Sequence, residues 1–231
     1  KKIDINSKNS EIIDCKKHTL SPGLIDLWVF AGEPGYEHNE SIESISNISR
    51  QSGVTTIACR PDTSPIIDEV ELVDYIKRKS LEKSKINIHP IAALTKNNLG
   101  EIMTEIGLLQ GAGAIGFSNA YNEIKNTQVL KNAFLYAANF DALIIQQCIN
   151  DLDNGGVMNE SETSMRLGLS GMPQISETIA LERELRLVEE TKTRYHSACI
   201  STEKSLNIIK SFKEHIPNLS CGVSINNLIL N

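Results

Sequence analysis

Apolar residues along the chain fall into short, β-branched runs that alternate with longer amphipathic stretches. Runs of about four to eight apolar residues between turn residues are typical of buried strands, whereas apolar positions three and four apart are typical of helices. The pattern predicts strands at Leu24–Phe30, Val54–Cys59, Ile86–Ala92, Gly113–Phe117, Leu143–Gln147, Tyr195–Ile200 and Leu219–Ser224. It predicts helices at His38–Ser52, Asp68–Leu81, Gly100–Gln110, Thr127–Asn139, Ser176–Thr191 and Thr202–Ile216. Asp68 is the predicted cap of the second helix, with Glu71 reaching back to the cap amide.

The predicted strands start about every 24 to 32 residues, apart from one gap of roughly 52 residues before Tyr195. A βα unit takes about 30 residues, so this rhythm indicates about seven consecutive βα steps. Such a rhythm builds either an open, doubly wound sheet or a (β/α)₈ TIM barrel. The first strand is not followed by a GxGxxG sequence. This weakens the interpretation as a dinucleotide-binding fold and favours the barrel. We therefore expect an α/β fold, an incomplete (β/α)₈ barrel in which the eighth strand is missing from this chain.

The domain boundary is expected near residue 20. Residues 1–20 are interpreted as the remnant of an earlier β-element and a linker, with a short strand near Glu11–Asp14, and residues 21–231 as the partial barrel domain. The long gap holds an insertion at Asn150–Pro173 that contains Gly, Asn and Met.

Composition narrows the classes of partner. The formal net charge of −6 argues against nucleic acid or an anionic membrane as the main partner, because both favour a basic protein face. No apolar run approaches the roughly 20 residues of a membrane helix, and no signal peptide is evident. The five cysteines form no CxxC pair, which favours free thiols in a reducing compartment. We expect a cytoplasmic protein.

Active sites of β/α barrels lie at the C-terminal ends of the strands. The first such end, residues 22–35, resembles the opening motif P-G-x-x-D-x-H-x-H-x-R-x-P-G of the dihydroorotases, in the amidohydrolase superfamily. The Pro, Gly and Asp positions match. Trp28 and Phe30 stand in place of two metal-binding histidines, and Gly32 stands in place of a substrate-binding arginine.

The resemblance continues in order along the chain. Arg60–Pro65 resembles the motif M-P-N-T-x-P, with Asp62 in place of a substrate-binding asparagine. Gly113–Asn119 resembles G-A-x-x-F-S-D, with Asn119 in place of a metal-bridging aspartate. Gln147 stands in place of a histidine ligand, and residues 156–173 resemble the stretch from M-N-E-G to L-G-L-x-G-I-P. His196–Thr202 resembles H-x-x-H-x-S-T, with Cys199 in place of the metal-binding histidine.

The resemblance implies a zinc hydrolase of a cyclic amide, but the residues do not suit zinc. Zinc takes imidazole, carboxylate or thiolate ligands, usually three or more from the protein. Trp28 and Phe30 cannot coordinate, Asn119 and Gln147 are neutral amides, and Cys199 alone could ligate. We expect no catalytic metal and no cofactor at this site.

The same residues also allow structural interpretations. Trp28 and Phe30 alternate on one strand and therefore face the same side, where they either fill the former metal site or form an apolar floor for a ligand. Asp26, His89 and His196 are candidate pocket residues, each of which could equally serve a structural hydrogen bond.

Three functional hypotheses follow from the resemblance and the substitutions. The first is a dihydroorotase-like protein of pyrimidine biosynthesis that lacks hydrolase activity and acts as a structural partner of aspartate transcarbamoylase, as inactive homologues of the family do; an oligomer is expected. The second is an active cyclic amidase with a rebuilt site that includes Cys199, His196, Asp62 and His89. The third is a non-catalytic module that binds a small ligand.

Overall fold

The computed structural model describes residues 14–153 and 155–230 of the chain. Its strands are β1 (Leu24–Val29), β2 (Val54–Cys59), β3 (Asn87–Pro90), β4 (Ala92–Ala93), β5 (Phe117–Ser118), β6 (Leu143–Gln146), β7 (Met158–Asn159), β8 (Gly171–Met172), β9 (Arg194–Ser197) and β10 (Ser220–Cys221). Its α-helices are α1 (Ile42–Gln51), α2 (Val70–Lys83), α3 (Ile106–Ala112), α4 (Thr127–Ala138), α5 (Glu162–Leu167), α6 (Gln174–Thr191), α7 (Glu203–Lys213) and α8 (Ile225–Ile229). Short 3₁₀ turns lie at Lys96–Asn98 and Asp151–Asp153.

The strands form one parallel series in chain order. One sheet has the order β1-β2-β3 and a second has the order β10-β9-β6-β5-β4, with every pair parallel. Ile91 joins the two sheets, because its N–H donates to the Cys59 carbonyl while the next residue, Ala92, donates to Gly116. With β3 and β4 counted as one strand, seven strands follow one another, and helices return the chain between them. The prediction of a partial parallel β/α barrel is confirmed.

Several helices begin at a residue whose side chain caps them, but the cap that we predicted for the second helix does not form. The Ser41 hydroxyl caps α1, the Asn126 amide caps α4 and Thr202 caps α7, each accepting from a backbone N–H of the first turn. The predicted cap of α2 is wrong. Glu69 holds the cap position without a side-chain bond, and the carboxylate of Asp68 instead accepts from the N–H of Asn97 in the loop after β4.

Two apolar clusters lie on opposite faces of the strands. The larger one joins outward-facing strand residues such as Ile57, Ile144 and Tyr195 to the helices. The smaller one consists of Ala58, Ile91, Ile145 and Ala198, with Trp28 and Leu143 packed against it. Its members alternate with those of the larger cluster along the strands, so they face the inside of the partial barrel.

The two ends of the strand series are open. Among the described residues, no strand pairs with the outer edge of β1 or of β10. Leu24 and Ile25 on β1 are each 64% exposed, and α8 exposes Ile225, Leu228 and Ile229. Strand edges and apolar faces are normally covered in a closed barrel. This arrangement fits a barrel from which a part is missing.

Several predicted strands and helices are longer than the observed ones. The predicted strands Gly113–Phe117 and Leu219–Ser224 shrink to the two-residue β5 and β10, and the predicted helix Gly100–Gln110 begins at Ile106. Within the insertion, β7 and β8 pair in parallel and α5 lies between them in the chain. The predicted strand near Glu11–Asp14 falls largely on residues 1–13, outside the described part. In the described ranges, no helix is long and apolar enough to cross a membrane.

Candidate functional site

The residues singled out from the sequence lie together at one end of the partial barrel. Parallel strands place their C-terminal ends at the same edge. Trp28 lies near the end of β1, and the other positions lie in the segments that follow β1, β2, β5, β6 and β9: Phe30, Gly32, Asp62, Asn119, Gln147 and Cys199.

Arg60 also lies at this edge, although its place in the motif predicted no role for it. Its guanidinium carbon lies 5.6 Å from the ring centroid of Trp28, 5.4 Å from that of Phe30 and 4.5 Å from that of Tyr121. A cation within about 6 Å of a ring is attracted by the electrons of the ring face. We call Arg60 and these three rings the arginine–aromatic cluster. The alternation of Trp28 and Phe30 was the only sequence signal for it.

Asp62 completes the charge balance of the cluster. Its carboxylate accepts from the Arg60 Nε at 3.1 Å and from a terminal guanidinium nitrogen at 2.8 Å. The Arg60 side chain is 11% exposed and that of Asp62 is 23% exposed. This two-point pairing fixes the plane of the guanidinium and leaves Asp62 less available for a ligand.

Asn119 is held by neutral hydrogen bonds. Its Oδ1 accepts from the Thr95 hydroxyl at 2.5 Å, and its Nδ2 donates to the carbonyls of Asn98 and Asn122 at 3.1 and 3.2 Å. The neighbouring Gln146, not Gln147, braces its backbone, because the Gln146 Oε1 accepts from the Asn119 N–H at 2.7 Å. The amide of Asn119 therefore links the loops around it by hydrogen bonds.

Gln147 and Trp28 are less satisfied. Neither the buried Oε1 of Gln147 nor the buried Nε1 of Trp28 has a hydrogen-bond partner among the described residues. Within the described part of the chain, these two positions therefore leave one buried acceptor and one buried donor without a hydrogen bond.

Position 32 accepts no side chain in this backbone. Gly32 has a φ of +70°, and a Cβ there would lie 2.3 Å from the carbonyl oxygen of Glu40. L-residues with side chains rarely adopt that φ, and the contact is closer than atoms allow. An arginine at this place would require the backbone to move.

The remaining candidate residues do not form a catalytic group. Asp26 is exposed and accepts from the N–H of Trp28 at 3.1 Å, and His89 is exposed on β3. His196 is 8% exposed and pairs through Nδ1 with the Ser220 hydroxyl at 2.8 Å. Burial lowers the pKa of His196, which favours the neutral ring.

Cys199 is poorly suited to act as a thiolate. Partial burial, and then the charge of Asp26, raise the pKa of its thiol above the usual value. A nucleophilic or zinc-binding cysteine normally needs a lowered pKa.

The donor set does not fit zinc. Trp28 and Phe30 offer no coordinating atom, the amide of Asn119 is already engaged, and Arg60 puts a positive charge against the two rings. Across residues 14–153 and 155–230, no group of three or more His, Cys, Asp or Glu side chains could hold a metal ion. A divalent cation would meet both missing ligands and charge repulsion here.

An open cavity of about 550 Å³ lies between this edge and the insertion, with Gln147, Met172, Glu177 and Thr202 in its wall. The carboxylate of Glu177 accepts from the N–H groups and hydroxyls of Ser201 and Thr202 at 2.6 to 3.2 Å. Burial works against ionisation of Glu177, but these bonds outweigh it and lower its pKa. The start of α7 is therefore already supplied with an anion by the chain itself.

Comparison with known families and proteins supports the resemblance seen in the motifs. Residues 17–205 match the family described as "Dihydro-orotase-like". The chain belongs to this family. It is 38% identical to a dihydroorotase of Anaplasma phagocytophilum over 224 residues, which cover 96% of this chain and 50% of that protein. It is 36% identical to a dihydroorotase of Acetivibrio thermocellus, over 94% of this chain and 51% of that protein. The chain thus spans about half the length of these relatives.

Solved structures show the same fold at lower identity. The L-hydantoinase of Arthrobacter aurescens matches with a TM-score of 0.73 and 19% identity, over 88% of this chain and 47% of that protein. A dihydropyrimidinase of Brevibacillus agri matches with a TM-score of 0.78 and 16% identity, over 99% of this chain and 52% of that protein. These structures share the fold of the chain, which confirms the predicted fold class. The dihydroorotase-like chain therefore combines a family fold with an altered centre.

Proposed function

We propose that this dihydroorotase-like chain lacks dihydroorotase activity and serves pyrimidine biosynthesis as a structural partner of aspartate transcarbamoylase in the cytoplasm. The observation that carries the first part is the position of Arg60. Its guanidinium lies against Trp28 and Phe30, the two positions where the family motif has metal-binding histidines. A fixed cation and two rings fill the place where the motif puts a metal.

The substrate contacts of the motif are altered in a consistent way. Gly32 leaves no room for a side chain, and Asp62 is bound to Arg60 instead of facing a ligand. The family fold around these positions is retained, and this favours a structural role for the chain. The transcarbamoylase partner comes from the family resemblance.

The rival hypothesis of a rebuilt cyclic amidase receives little support from the geometry. Cys199 has a raised pKa, His196 is engaged by Ser220, and His89 lies exposed on the strand face. The hypothesis of a ligand-binding module has one observation in its favour: the Nε1 of Trp28 and the Oε1 of Gln147 have no hydrogen-bond partner among the residues that the structure describes.

Metal content and turnover decide the catalytic part of the proposal. The chain is dialysed against zinc, its bound metal is measured by mass spectrometry, and dihydroorotate turnover is assayed in both directions. We expect substoichiometric zinc and no turnover. As a control, a variant that combines Trp28→His, Phe30→His, Asn119→Asp, Gln147→His, Cys199→His and Arg60→Met should gain zinc. Stoichiometric zinc with turnover in the unaltered chain would overturn the proposal.

The partner is tested separately. The chain is co-expressed with aspartate transcarbamoylase, and the complex is followed by size-exclusion chromatography and light scattering. We expect co-elution and a larger transferase assembly. A transferase that elutes apart from the chain, monodisperse and fully active, would contradict the scaffolding role.

A further inference from the structure

An arginine on α6 is shared between two carboxylates. The Nη1 of Arg183 lies 3.3 Å from the Oε1 of Glu123, in the loop between β5 and α4. Its Nη2 lies 3.7 Å from the Oε1 of Glu184, the next residue of α6. Both contacts are longer than the roughly 2.7 to 2.9 Å of a strong charge-assisted hydrogen bond. One cation is therefore divided between two carboxylates and is held closely by neither.

The guanidinium has unused donors with which it can change partners. Its Nε and Nη2 are buried, and neither has a hydrogen-bond partner among the described residues. The side chains are 21% exposed for Arg183, 10% for Glu123 and 4% for Glu184, so water screens the three charges only weakly. A change of charge on either carboxylate therefore shifts the balance between the two contacts.

Glu184 is the carboxylate whose charge changes near neutral pH. Complete burial raises its pKa to about 7, and the negative charge of Glu123 adds to this effect, while Tyr195 and Arg183 oppose it. It is also faced by the Tyr195 hydroxyl of β9, which donates to its Oε2, and by the Cys148 thiol after β6. Burial raises the pKa of both Tyr195 and Cys148, so both stay protonated in this range. Glu184 therefore gains a negative charge as the pH rises through about 7.

Glu123 connects this group of charges to the insertion. The Nδ2 of Asn150, the first residue of the insertion, donates to the same Glu123 Oε1 at 3.4 Å. The Oδ1 of Asn150 accepts from the N–H of Leu152 at 3.2 Å, and its carbonyl accepts from the N–H of Asp153 at 2.9 Å. Asp153 also lies in the wall of the cavity of about 550 Å³. One carboxylate oxygen therefore contacts Arg183 on one side and the first turn of the insertion on the other.

We propose that Glu184 is a proton-controlled switch, which moves Arg183 between Glu123 and itself and so loosens or tightens the start of the insertion. While Glu184 is protonated, Arg183 stays with Glu123, and Asn150 is held. When Glu184 loses its proton, its Oε1 accepts from Nη2, and the guanidinium moves away from Glu123. A buried carboxylate without its cation is unfavourable, so Glu123 turns toward water and releases Asn150. The switch uses none of the altered ligand positions, so it does not depend on the proposed loss of hydrolysis.

Nuclear magnetic resonance on the isotope-labelled full chain, between pH 5 and 8, tests the switch. The carboxyl carbon of Glu184 reports the titration, and the side-chain resonances of Arg183 and Asn150 report the movement. We expect all three to shift with one midpoint at about pH 7. At pH 8 the amides of Leu152 and Asp153 should exchange with solvent about threefold or more faster than in Glu184→Gln, the effect of losing one weak hydrogen bond. At pH 5 the two chains should exchange equally. No titration of Glu184 in this range, or a shift at Glu184 without one at Asn150, would overturn the proposal.

Three variants separate the switch from a general effect of pH. Glu184→Gln should keep Arg183 and Asn150 at their low-pH resonances throughout. Glu123→Gln should lower the midpoint of Glu184, because it removes a neighbouring negative charge, and it should abolish the response of Asn150. Glu182→Gln, on the exposed face of α6, is the matched control and should titrate like the unaltered chain. A response of Asn150 that persists in Glu184→Gln, with spectra that show a folded chain, would also overturn the proposal.

Discussion

At the scale of the residue, Arg60 shows what packs against the two positions where the family motif has metal-binding histidines. The guanidinium is planar, so it can lie against three rings while it keeps both hydrogen bonds to Asp62. The cation and the rings therefore pack closely at this end of the strands. Arg60 therefore has a structural role at this edge whatever the chain binds.

Arg60→Met should lower the free energy of unfolding by about 2 kcal/mol, because it leaves Asp62 charged and only 23% exposed without its partner. Urea denaturation measures the change. Arg194→Met is the matched control, since the pair of Arg194 with Asp141 is exposed and should be worth less than about 0.5 kcal/mol. Equal effects of the two substitutions would show that the cluster adds nothing to stability. The double variant Arg60→Met with Asp62→Asn should recover part of the loss.

Glu184 is a second residue whose environment decides its chemistry. Complete burial raises its pKa to about 7, against an ordinary value of 4.5, and it accepts a hydrogen bond from the Tyr195 hydroxyl. Between pH 4.5 and about 7 the unfolded chain loses this proton while the folded chain keeps it. Stability should therefore fall as pH rises through this window and level off above it.

Glu184→Gln should flatten that pH dependence, because an amide accepts from Tyr195 without titrating. At pH 8 the variant should be more stable than the unaltered chain, by an amount on the order of 2 kcal/mol. Chemical denaturation at pH 5, 6, 7 and 8 provides the comparison, with Glu190→Gln at an exposed position as control. If the unaltered chain and Glu184→Gln respond alike to pH, the buried carboxyl does not titrate in this range.

At the scale of the element, Glu177 joins two helices. It belongs to α6, and its carboxylate accepts from residues 201 and 202 at the start of α7. The first N–H groups of a helix lack partners inside the helix, so an anion from a neighbouring element satisfies them. The register of α6 thus fixes the position of the loop that carries Cys199.

Glu177→Gln should cost about 1 kcal/mol of unfolding free energy, because charge-assisted bonds become neutral ones at a site partly screened by solvent. The lowered pKa gives the pH dependence its sign: this contribution is present above the ordinary pKa of the carboxyl and is lost as pH falls. Thermal and urea denaturation measure it. Glu182→Gln, on the exposed face of the same helix, should leave stability unchanged, and a similar loss there would argue against a specific role of Glu177.

At the scale of the whole molecule, the open ends of the strand series dominate. Within residues 14–153 and 155–230, β1 has an unpaired edge together with exposed Leu24, Ile25 and Leu27, and α8 presents further apolar side chains. Unpaired edges with apolar side chains associate readily with other strands. A chain of this kind should self-associate in solution unless another segment covers the edge.

Ile25→Lys should reduce this association, because an edge lysine discourages strand pairing. Analytical ultracentrifugation over a range of concentrations measures the effect on the average mass. Leu81→Lys is the matched control, since Leu81 is 87% exposed on α2, away from the open edge. The prediction is wrong if both substitutions change the mass equally or if the unaltered chain is monomeric throughout.

The sequence by itself determined the series of strands, the family and the identity of the altered positions. Repeated apolar runs dictate strand order because each βα step buries one face of a strand under its own helix. The departure from the histidines and the arginine of the motif is visible at Trp28, Phe30 and Gly32, because the residue type decides whether a side chain can bind a metal or carry a charge.

Only the tertiary structure decided what fills those positions. Arg60 and Tyr121 lie far apart in sequence, and their contact depends on how the loops after β2 and β5 converge. The tertiary structure likewise decided that Asp68 does not cap α2 but accepts from the N–H of Asn97. It also decided that the amide of Asn98 is buried. Local patterns specify which segments form strands and helices. The partners of polar side chains depend on distances across the fold, which no local pattern contains.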